Sequence, residues 1–321
     1  LSLTSVCSQA PFYLSSELVE VLKKKKLEYL ELRATSFHMT FFAAMSNFHS
    51  SFLKVLRLGC SCEGRKINVE NLLNLKEISM SVKEGNFGVT NLNSLHGLKI
   101  LSLENQFLQE IHSALYFMHL KDCPFAQTLE ELHLQWASDF ETELSEDLLR
   151  LGVSALANLQ TLKIGGPGSL NVPLLAAIGE NCPHLWSMTV RHMVIYEPEL
   201  TIIAEKFKNL RVLDVFVAGP IEESLEKIGR NCKLLSKLCI RGKCVSPKEF
   251  FAIGTYFRNL HTITVSVDSA LFKPSDLKKF LTLKYPGDNN TPLNLNFSPS
   301  IQTMKDSSFL EEYRNVHIND D

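Results

Sequence analysis

A short pattern of apolar positions recurs along the chain: Leu-x-x-apolar-x-apolar, in which x is usually polar. Its last three positions alternate apolar, polar and apolar, which predicts a short β-strand with one buried face. Ten copies occur in order, separated by 26, 22, 23, 31, 30, 26, 25, 25 and 25 residues. Their leading leucines are Leu27, Leu53, Leu75, Leu98, Leu129, Leu159, Leu185, Leu210, Leu235 and Leu260. This spacing indicates an architecture built from repeats.

A second apolar pattern precedes each of the last four leading leucines. Apolar or small residues stand 10, 7, 6 and 3 positions earlier, as Leu175, Ile178, Gly179 and Cys182 do ahead of Leu185. This spacing places them along one face of an α-helix. The position six before the leucine holds only Gly or Ala, from which we expect a close approach between the helix and the strand beneath it.

Each repeat is therefore predicted to run strand, turn, helix and return, and one repeat alone cannot bury both of its apolar faces. Stacking buries them. We predict an α/β fold, a right-handed leucine-rich-repeat solenoid: a curved horseshoe with parallel strands on its concave face and helices on its convex face. The solenoid is expected to occupy residues 1–268. Residues 269–321 are expected to form a C-terminal cap that ends in a loose tail, Asn315–Asp321.

The composition is that of a folded protein, with 45% hydrophobic and 21% charged residues among 321. A net charge of −2 gives no reason to expect nucleic acid or an anionic membrane as a partner. No apolar run approaches the roughly 20 residues that span a bilayer, and no secretory signal is visible. Eight cysteines without zinc-like pairing indicate a reducing compartment. We expect a cytoplasmic location, with the nucleus also open.

No combination of residues indicates catalysis, a cofactor or a metal. The ten histidines are scattered, and the sequence contains no His-Glu-x-x-His, no Gly-x-Ser-x-Gly and no Cys/His cluster. Cys182 and Cys232 fall at the repeat position that Phe207 and Phe257 occupy, which predicts core thiols. The Gly-rich stretch Ile164–Ser169 is predicted to be a strand-to-helix turn, because no Lys-Ser/Thr follows it to make a phosphate loop. We expect no enzymatic activity, no cofactor and no metal ion.

The two longest spacings place extra residues in Leu103–Thr128 and Gln135–Ala157. Such insertions usually form loops on one face of a solenoid. The acidic stretch Asp139–Asp147 falls in the second of them, where a solvated loop and a partner contact are both open. Four lysines, Lys23–Lys26, are predicted at a helix end, where cations are favourable; nuclear targeting is the alternative.

The phrases ENCPHLWSMTV and RNCKLLSKLCI, within the 25-residue spacing, resemble the cysteine-containing repeats of F-box/LRR proteins. The resemblance covers Leu159–Val265 well and Leu27–Leu134 loosely. It implies a concave sheet that captures a protein substrate for a Skp1–cullin–F-box ubiquitin ligase. No F-box is found: Leu14–Leu22 fits the first repeat's helix better. We expect the chain to be a piece of a longer protein, and Skp1 to be a partner only if an F-box lies outside it.

Two rivals to the ligase interpretation remain open. One is the repeat region of a nucleotide-binding immune receptor, a sensor. The other is a free-standing leucine-rich-repeat scaffold or inhibitor. All three share one expectation, which is that a protein binds the concave face.

The strand register predicts the side chains of that face, which stand before, between and after the last two apolar positions of each copy. In the N-terminal half they include Glu77, Glu104, Glu131 and His133. In the C-terminal half they include Lys163, Arg191, Asp214, Phe216, Lys237 and Arg241. A polar face is expected of any exposed sheet. A sharper hypothesis is that the four basic residues and the aromatic ring of this second group anchor an acidic or phosphorylated protein segment.

Overall fold

The computed structural model consists of parallel strands joined by turns and helices. The residues described are 2–4, 13–14, 20, 27–33, 36–37, 52–60, 65–82, 87–105, 120, 122–136, 152, 155–166, 170–267, 271–284, 292–298 and 316–320. The chain divides into two compact units, Leu1–Pro167 and Gly168–Asp321. Each unit is a stack of leucine-rich repeats, so the predicted α/β repeat fold is confirmed.

The first unit contributes one strand of a parallel sheet from each repeat. In order across the sheet these are β1 (Ser2–Thr4), β3 (Tyr29–Arg33), β5 (Val55–Cys60), β7 (Glu77–Val82), β9 (Ile100–Asn105), β10 (Glu131–Trp136) and β11 (Thr161–Gly165). Two further parallel pairs are β2 (Tyr13–Leu14) with β4 (Ser36–Phe37), and β6 (Arg65–Asn68) with β8 (Phe87–Thr90). Short 3₁₀ helices occupy Leu92–Ser94 and Pro124–Gln127.

The second unit alternates strands and helices more regularly. Its parallel strands, again in order, are β12 (Ser187–Ile195), β13 (Val212–Val217), β14 (Lys237–Val245), β15 (Thr262–Val267), β16 (Leu293–Ser298) and β17 (Val316–Asp320). Its helices are α1 (Val172–Asn181), α2 (Glu197–Lys206), α3 (Glu222–Asn231), α4 (Pro247–Tyr256) and α5 (Pro274–Lys284).

The leading leucines form the core, as the apolar pattern predicts. Nine of the ten are buried, and Leu27, in the first copy, is partly exposed. In the second unit the buried face of the sheet meets the helices: the rings of Phe297 on β16 and Phe250 on α4 have centroids 6.1 Å apart. The opposite face of the strands, called the open face below, carries the alternate residues and is largely polar.

Helices α1 to α4 each have ten residues and end at the same point of the repeat. The next residue caps the helix, and its N–H donates to the carbonyl four residues earlier: Cys182 to Ile178 and Cys232 to Ile228, each at 2.8 Å. Both cysteines are free and buried, as predicted. Burial raises the pKa of the Cys182 thiol to about 12 and that of Cys232 to about 11, so both are core groups rather than reactive thiols.

The position six residues before each of the last four leading leucines holds a small residue for a different reason from the one expected. A Cβ on Gly179 would lie 2.5 Å from Cβ of Lys206, and a Cβ on Gly229 would lie 2.5 Å from Cβ of Tyr256. Lys206 and Tyr256 are the last residues of α2 and α4, the helices of the following repeats. The expectation of contact with the strand beneath is therefore wrong. The side chain is limited by the neighbouring helix, because helices in successive repeats stack side by side.

Among the described residues, an asparagine directly before the leading leucine links successive repeats, as Asn209, Asn259 and Asn158 show. The Asn209 side chain donates to the carbonyl of Pro183 at 3.0 Å, and that of Asn259 donates to the carbonyl of Lys233 at 2.7 Å. Asn158 makes the equivalent bond to Gln127 in the first unit. In each case the acceptor lies two residues before the leading leucine of the preceding repeat. These bonds satisfy turn carbonyls and fix the stacking of one repeat on the next.

The C-terminal segment differs from the expected loose tail. Val316–Asp320 is a strand, β17, paired in parallel with β16, and β16 pairs in the same way with β15. The alternation of Val316 and Ile318 with polar residues continues the strand pattern of the repeats after a long gap, which explains why the spacing alone did not find it. The division into two compact units falls at Pro167/Gly168, and the expected boundary at 268 between solenoid and cap stays a prediction.

Several predictions lie outside the described residues. They are the lysines Lys23–Lys26, the acidic stretch Asp139–Asp147, and most of Leu14–Leu22 and of the two predicted insertions. Of the Gly-rich stretch, Ile164–Gly166 is described, and β11 ends at Gly165.

Candidate functional site

The open face of the second unit is built from three rows of side chains that follow the strand register. One row runs Ser187, Val212, Lys237 and Thr262, and the next runs Thr189, Asp214, Cys239 and Thr264. The third contains Phe216 beside Arg241. Adjacent strands lie about 4.8 Å apart, so the side chains of a row are neighbours across the strands.

Asp214 is the centre of this face. Arg241, from β14, donates through Nε to Asp214 Oδ1 at 3.1 Å. Arg191, from β12 on the other side, brings Nη2 to 3.9 Å from Oδ2, which is an ion pair without a hydrogen bond. The side chain of Asp214 is only 9% exposed, whereas those of Arg191 and Arg241 are 54% and 47% exposed. The carboxylate therefore lies beneath two guanidinium groups that face solvent.

Both arginines lie at bulges that the repeat length conceals. The register of β12 with β13 shifts between Val190 and Val194, and the register of β14 with β15 shifts between Ile240 and Cys244. Each bulge contains a residue with positive φ directly after the arginine: His192 at 63° and Gly242 at 86°. The two bulges are 50 residues apart, so they recur after two copies of the leucine pattern. Strand β13, which lies between them, and strand β15, which follows the second, are short and regular.

Phe216 completes this cluster. It pairs in register with Arg241 and is half-buried. A Cβ on Gly242 would lie 2.6 Å from Cε1 of the Phe216 ring, so the ring occupies the space above the bulge. The absence of a side chain at residue 242 thus allows an aromatic ring to lie beside the arginine.

Lys237 and Cys239 lie on the same strand as Arg241, with different exposures. Lys237 is exposed, at the start of β14. Cys239 is 1% exposed. Burial, and then the charge of Asp214, raises the pKa of its thiol to about 12. This cysteine therefore stays protonated and acts as a small side chain under the polar surface.

In the first unit His133 and Lys163 are register neighbours on β10 and β11. Lys163 is exposed, but the side chain of His133 is only 16% exposed. Burial, and then the charge of Lys163, lowers the pKa of His133 to about 4. Its Nε2 lies 3.5 Å from Glu131 Oε2 but makes no hydrogen bond within the described residues. His133 is therefore neutral at pH 7, and Lys163 carries the positive charge of this pair.

A network of charged residues on β3, β5 and β7 was missed by the sequence analysis, which named only Glu77 in this region. Arg57 donates from Nε to Glu77 Oε1 at 2.5 Å and from Nη1 to the Tyr29 hydroxyl at 3.3 Å. The Tyr29 hydroxyl donates to Glu31, which also accepts from Arg33 Nε at 2.8 Å. The hydrogen bond from Tyr29 is the main reason that the pKa of Glu31 is lowered. The rule that located Glu77 also places Glu31 and Arg57 on the open face, so the signal was present.

The structure brings together Arg191, Asp214, Phe216 and Arg241, with Lys237 on the same strand as Arg241. Lys163 and His133 form a separate pair in the first unit. The sequence predicted Asp214 as one of several side chains of the open face. In the structure it is buried and pairs with both arginines, which it orients.

Neither a metal-ion site nor a membrane-spanning helix is present among the residues described. No group of three or more His, Cys, Asp or Glu side chains there is arranged to hold a metal ion. No helix in the same part of the chain has the length and apolar character needed to cross a membrane.

No protein-family model and no curated protein matches the chain. Among solved structures, an internalin from Listeria monocytogenes is similar with a TM-score of 0.43 and 14% identity, over 89% of this chain and 95% of that one. A likeness this distant carries no argument about function. The leucine-rich-repeat fold is established by the parallel strands and buried leucines of the chain itself.

Proposed function

We propose that this chain is a protein-recognition module that binds its partner on the open face of the strands. The observation that carries the proposal is the arrangement of Arg191 and Arg241 over the buried Asp214, beside the half-buried ring of Phe216. Arginine and aromatic side chains contribute most of the binding free energy at many interfaces. Side chains held in place before binding lose less conformational entropy when a partner arrives.

Site-specific photo-crosslinking tests this proposal. A benzophenone amino acid would replace Ser266, which is half-buried on β15, and in a matched control would replace Lys227, which is exposed on α3. We expect discrete crosslinked proteins from residue 266 that residue 227 does not give, and direct binding of the purified partner. The same products from both positions, or none from residue 266, would contradict binding on this face.

A finer version of the proposal makes the chain the substrate-binding part of a Skp1–cullin–F-box ubiquitin ligase adaptor in the cytosol. Its support is the resemblance of the repeats around Cys182 and Cys232 to those of F-box/LRR proteins. Skp1 would bind through an F-box outside this chain. Co-purification of the full-length protein with Skp1 tests this version. Failure to co-purify removes the ligase role and leaves recognition by the open face intact.

A further inference from the structure

We propose that the partner presents an extended acidic segment that lies along β14, with two carboxylates four residues apart: one at Lys237 and one at the Arg191–Arg241 pair. This inference rests on the proposed function, since it names the chemistry of the partner that the open face binds. It is carried by the charges, by their spacing and by the position of Phe216.

The charge on this surface is positive towards solvent. In the described strands β12 to β16, the charged side chains of the three open-face rows are Arg191, Lys237 and Arg241 against the single carboxylate of Asp214. Because Asp214 is buried under the two guanidinium groups, an approaching segment meets the cations first. Lys243, the next cation on β14, is not part of this surface, since its ammonium group contacts Glu249 Oε1 at 2.6 Å.

The spacing of the cations selects the shape of the segment. Lys237 and Arg241 are four residues apart on the part of β14 that stays in regular register with β13. At a rise of about 3.3 Å per residue they are separated by about 13 Å along the strand. Residues i and i+4 of an extended segment have the same separation and point to the same side. A helical segment would bring the same two residues within about 6 Å.

This spread of charge favours several carboxylates over one phosphoryl group. A phosphoryl group concentrates its charge at one point, whereas the cations here extend from Lys237 to the arginine pair. Asp214 also lies within 3.9 Å of both guanidinium groups, and its charge would oppose a dianion more strongly than a single carboxylate. The geometry of the arginine pair already suits a carboxylate, because Asp214 holds it from below.

Phe216 defines the chemistry beside the second carboxylate. Its ring pairs in register with Arg241 and remains partly exposed over the bulge at Gly242. An apolar side chain next to the second acidic residue can cover this ring and exclude water from the neighbouring ion pairs, which strengthens them.

Labelled peptide pools test the inference without knowledge of the partner. The first pool has Glu at positions i and i+4 and uncharged residues elsewhere. A second has the same two Glu residues at i and i+1, and a third has Gln at i and i+4. A fourth carries one phosphoserine at i+4 and Gln at i. Fluorescence polarisation would measure the dissociation constant of each pool for the whole chain.

We expect the first pool to bind at least about tenfold more tightly than the Gln pool, which corresponds to about 1.4 kcal/mol. It should also bind more tightly than the pool with adjacent Glu residues, whose total charge is the same. The double variant Arg191→Gln/Arg241→Gln and the single variant Lys237→Gln should each lose most of this preference. Arg191→Lys/Arg241→Lys should lose part of it, because lysine keeps the charge but not the two parallel donors of arginine.

A charge-matched control removes two lysines from helix surfaces, Lys227→Gln/Lys248→Gln, and should bind the first pool as the wild type does. Thermal unfolding of every variant checks that each one is folded. The inference would be overturned if the Glu and Gln pools bound equally well. It would also be overturned if Arg191→Gln/Arg241→Gln bound the first pool as tightly as the wild type does. A phosphoserine pool that binds more tightly than the first pool would overturn it as well.

These results separate this inference from the proposed function. If the peptide preference is absent while crosslinking at residue 266 still captures a specific partner, the acidic segment is wrong and protein recognition stands. If crosslinking captures nothing specific and no pool binds, both proposals fail.

Discussion

The ring of Phe216 fills the space that a side chain on Gly242 would need, so that a Cβ at residue 242 would lie 2.6 Å from Cε1 and 2.7 Å from Cζ of that ring. Gly242 also has a φ of 86°, which side chains disfavour. The equivalent bulge on β12 has His192 at a φ of 63°, and the His192 side chain is exposed. Two copies of one bulge therefore differ in whether an aromatic ring covers them.

Replacement of Gly242 by Ala is expected to lower the free energy of unfolding by about 1–3 kcal/mol, from backbone strain and from the contact with Phe216. His192→Gly should change it by less than about 1 kcal/mol, in the stabilising direction, since strain is removed and no buried contact is lost. Urea unfolding of both variants measures these effects. In Phe216→Ala/Gly242→Ala the two losses should be less than additive, and strict additivity would show that the ring does not limit residue 242.

Glu249 joins the bulge of β14 to the preceding repeat. Its carboxylate is buried and accepts from Ile221 N at 3.0 Å, Ser246 N at 2.8 Å and Lys243 Nζ at 2.6 Å. Glu249→Gln is expected to lower the free energy of unfolding by about 2–4 kcal/mol, because Lys243 would be left partly buried beside a neutral group. The control is Glu199→Gln at the same position of α2, where the carboxylate is half-exposed and bonds to Tyr196 N at 3.0 Å. Glu199→Gln should lower the free energy of unfolding by less than about 1 kcal/mol.

The pH dependence of stability gives a second test of Glu249. Burial alone would raise the pKa of Glu249, but hydrogen bonds from Lys243, Ser246 and Ile221 together lower it below the ordinary 4.5. The stabilisation is therefore present above pH 4.5 and is lost as the pH falls through the depressed value, because the unfolded chain takes up the proton first. Below pH 4.5 the stability difference between wild type and Glu249→Gln should shrink. A difference that stays constant down to pH 3 would contradict this account.

Lys284 should give a pH dependence of stability of the same sign as Glu249, but in a different range, at alkaline pH. Its ammonium group is buried at the end of α5 and donates to the carbonyls of Phe257 and Arg258. Burial, and then the charge of Arg258, lowers the pKa of Lys284 from 10.5 to about 8. Between these values the unfolded chain binds more protons than the folded one, so this residue increases stability as the pH rises from 8 to 10.5.

As the pH rises from 8 to 10.5, the free energy of unfolding of the wild type should increase by on the order of 3 kcal/mol relative to that of Lys284→Met. The comparison cancels the buried thiols, whose raised pKa values lower stability at alkaline pH in both proteins. Lys248→Met, at an exposed position on α4, serves as the control and should follow wild type at every pH. Parallel curves for wild type and Lys284→Met would show that the ammonium group is not desolvated.

The apolar pattern was sufficient to predict the repeats, the buried faces of the strands and the positions on the open face. It could not predict the bulges at His192 and Gly242. Strands β12 and β13 differ by three residues in length, yet α2 and α3 begin at the same distance from the start of their strands. The extra residues are taken from the connection to the helix, so the spacing of 25 is unchanged. The burial of Asp214 was equally hidden, because its covering arginines come from the repeats on either side.

The close contact between helices of neighbouring repeats can be tested by whether Gly229→Ala raises or lowers the free energy of unfolding. Helix propensity alone predicts that Gly229→Ala, inside α3, would stabilise the protein by about 1 kcal/mol. The structure predicts the opposite, because the new Cβ would lie 2.5 Å from Cβ and 3.0 Å from the backbone carbon of Tyr256 on α4. We expect a loss of about 1–3 kcal/mol, since backbone atoms cannot move aside as a long side chain can. Ala204→Gly, at the same position of α2, should lower the free energy of unfolding by about 1 kcal/mol, because glycine has a lower helix propensity than alanine. If Gly229→Ala instead raised the midpoint of urea unfolding, close helix stacking would not be the reason that this position holds only Gly or Ala.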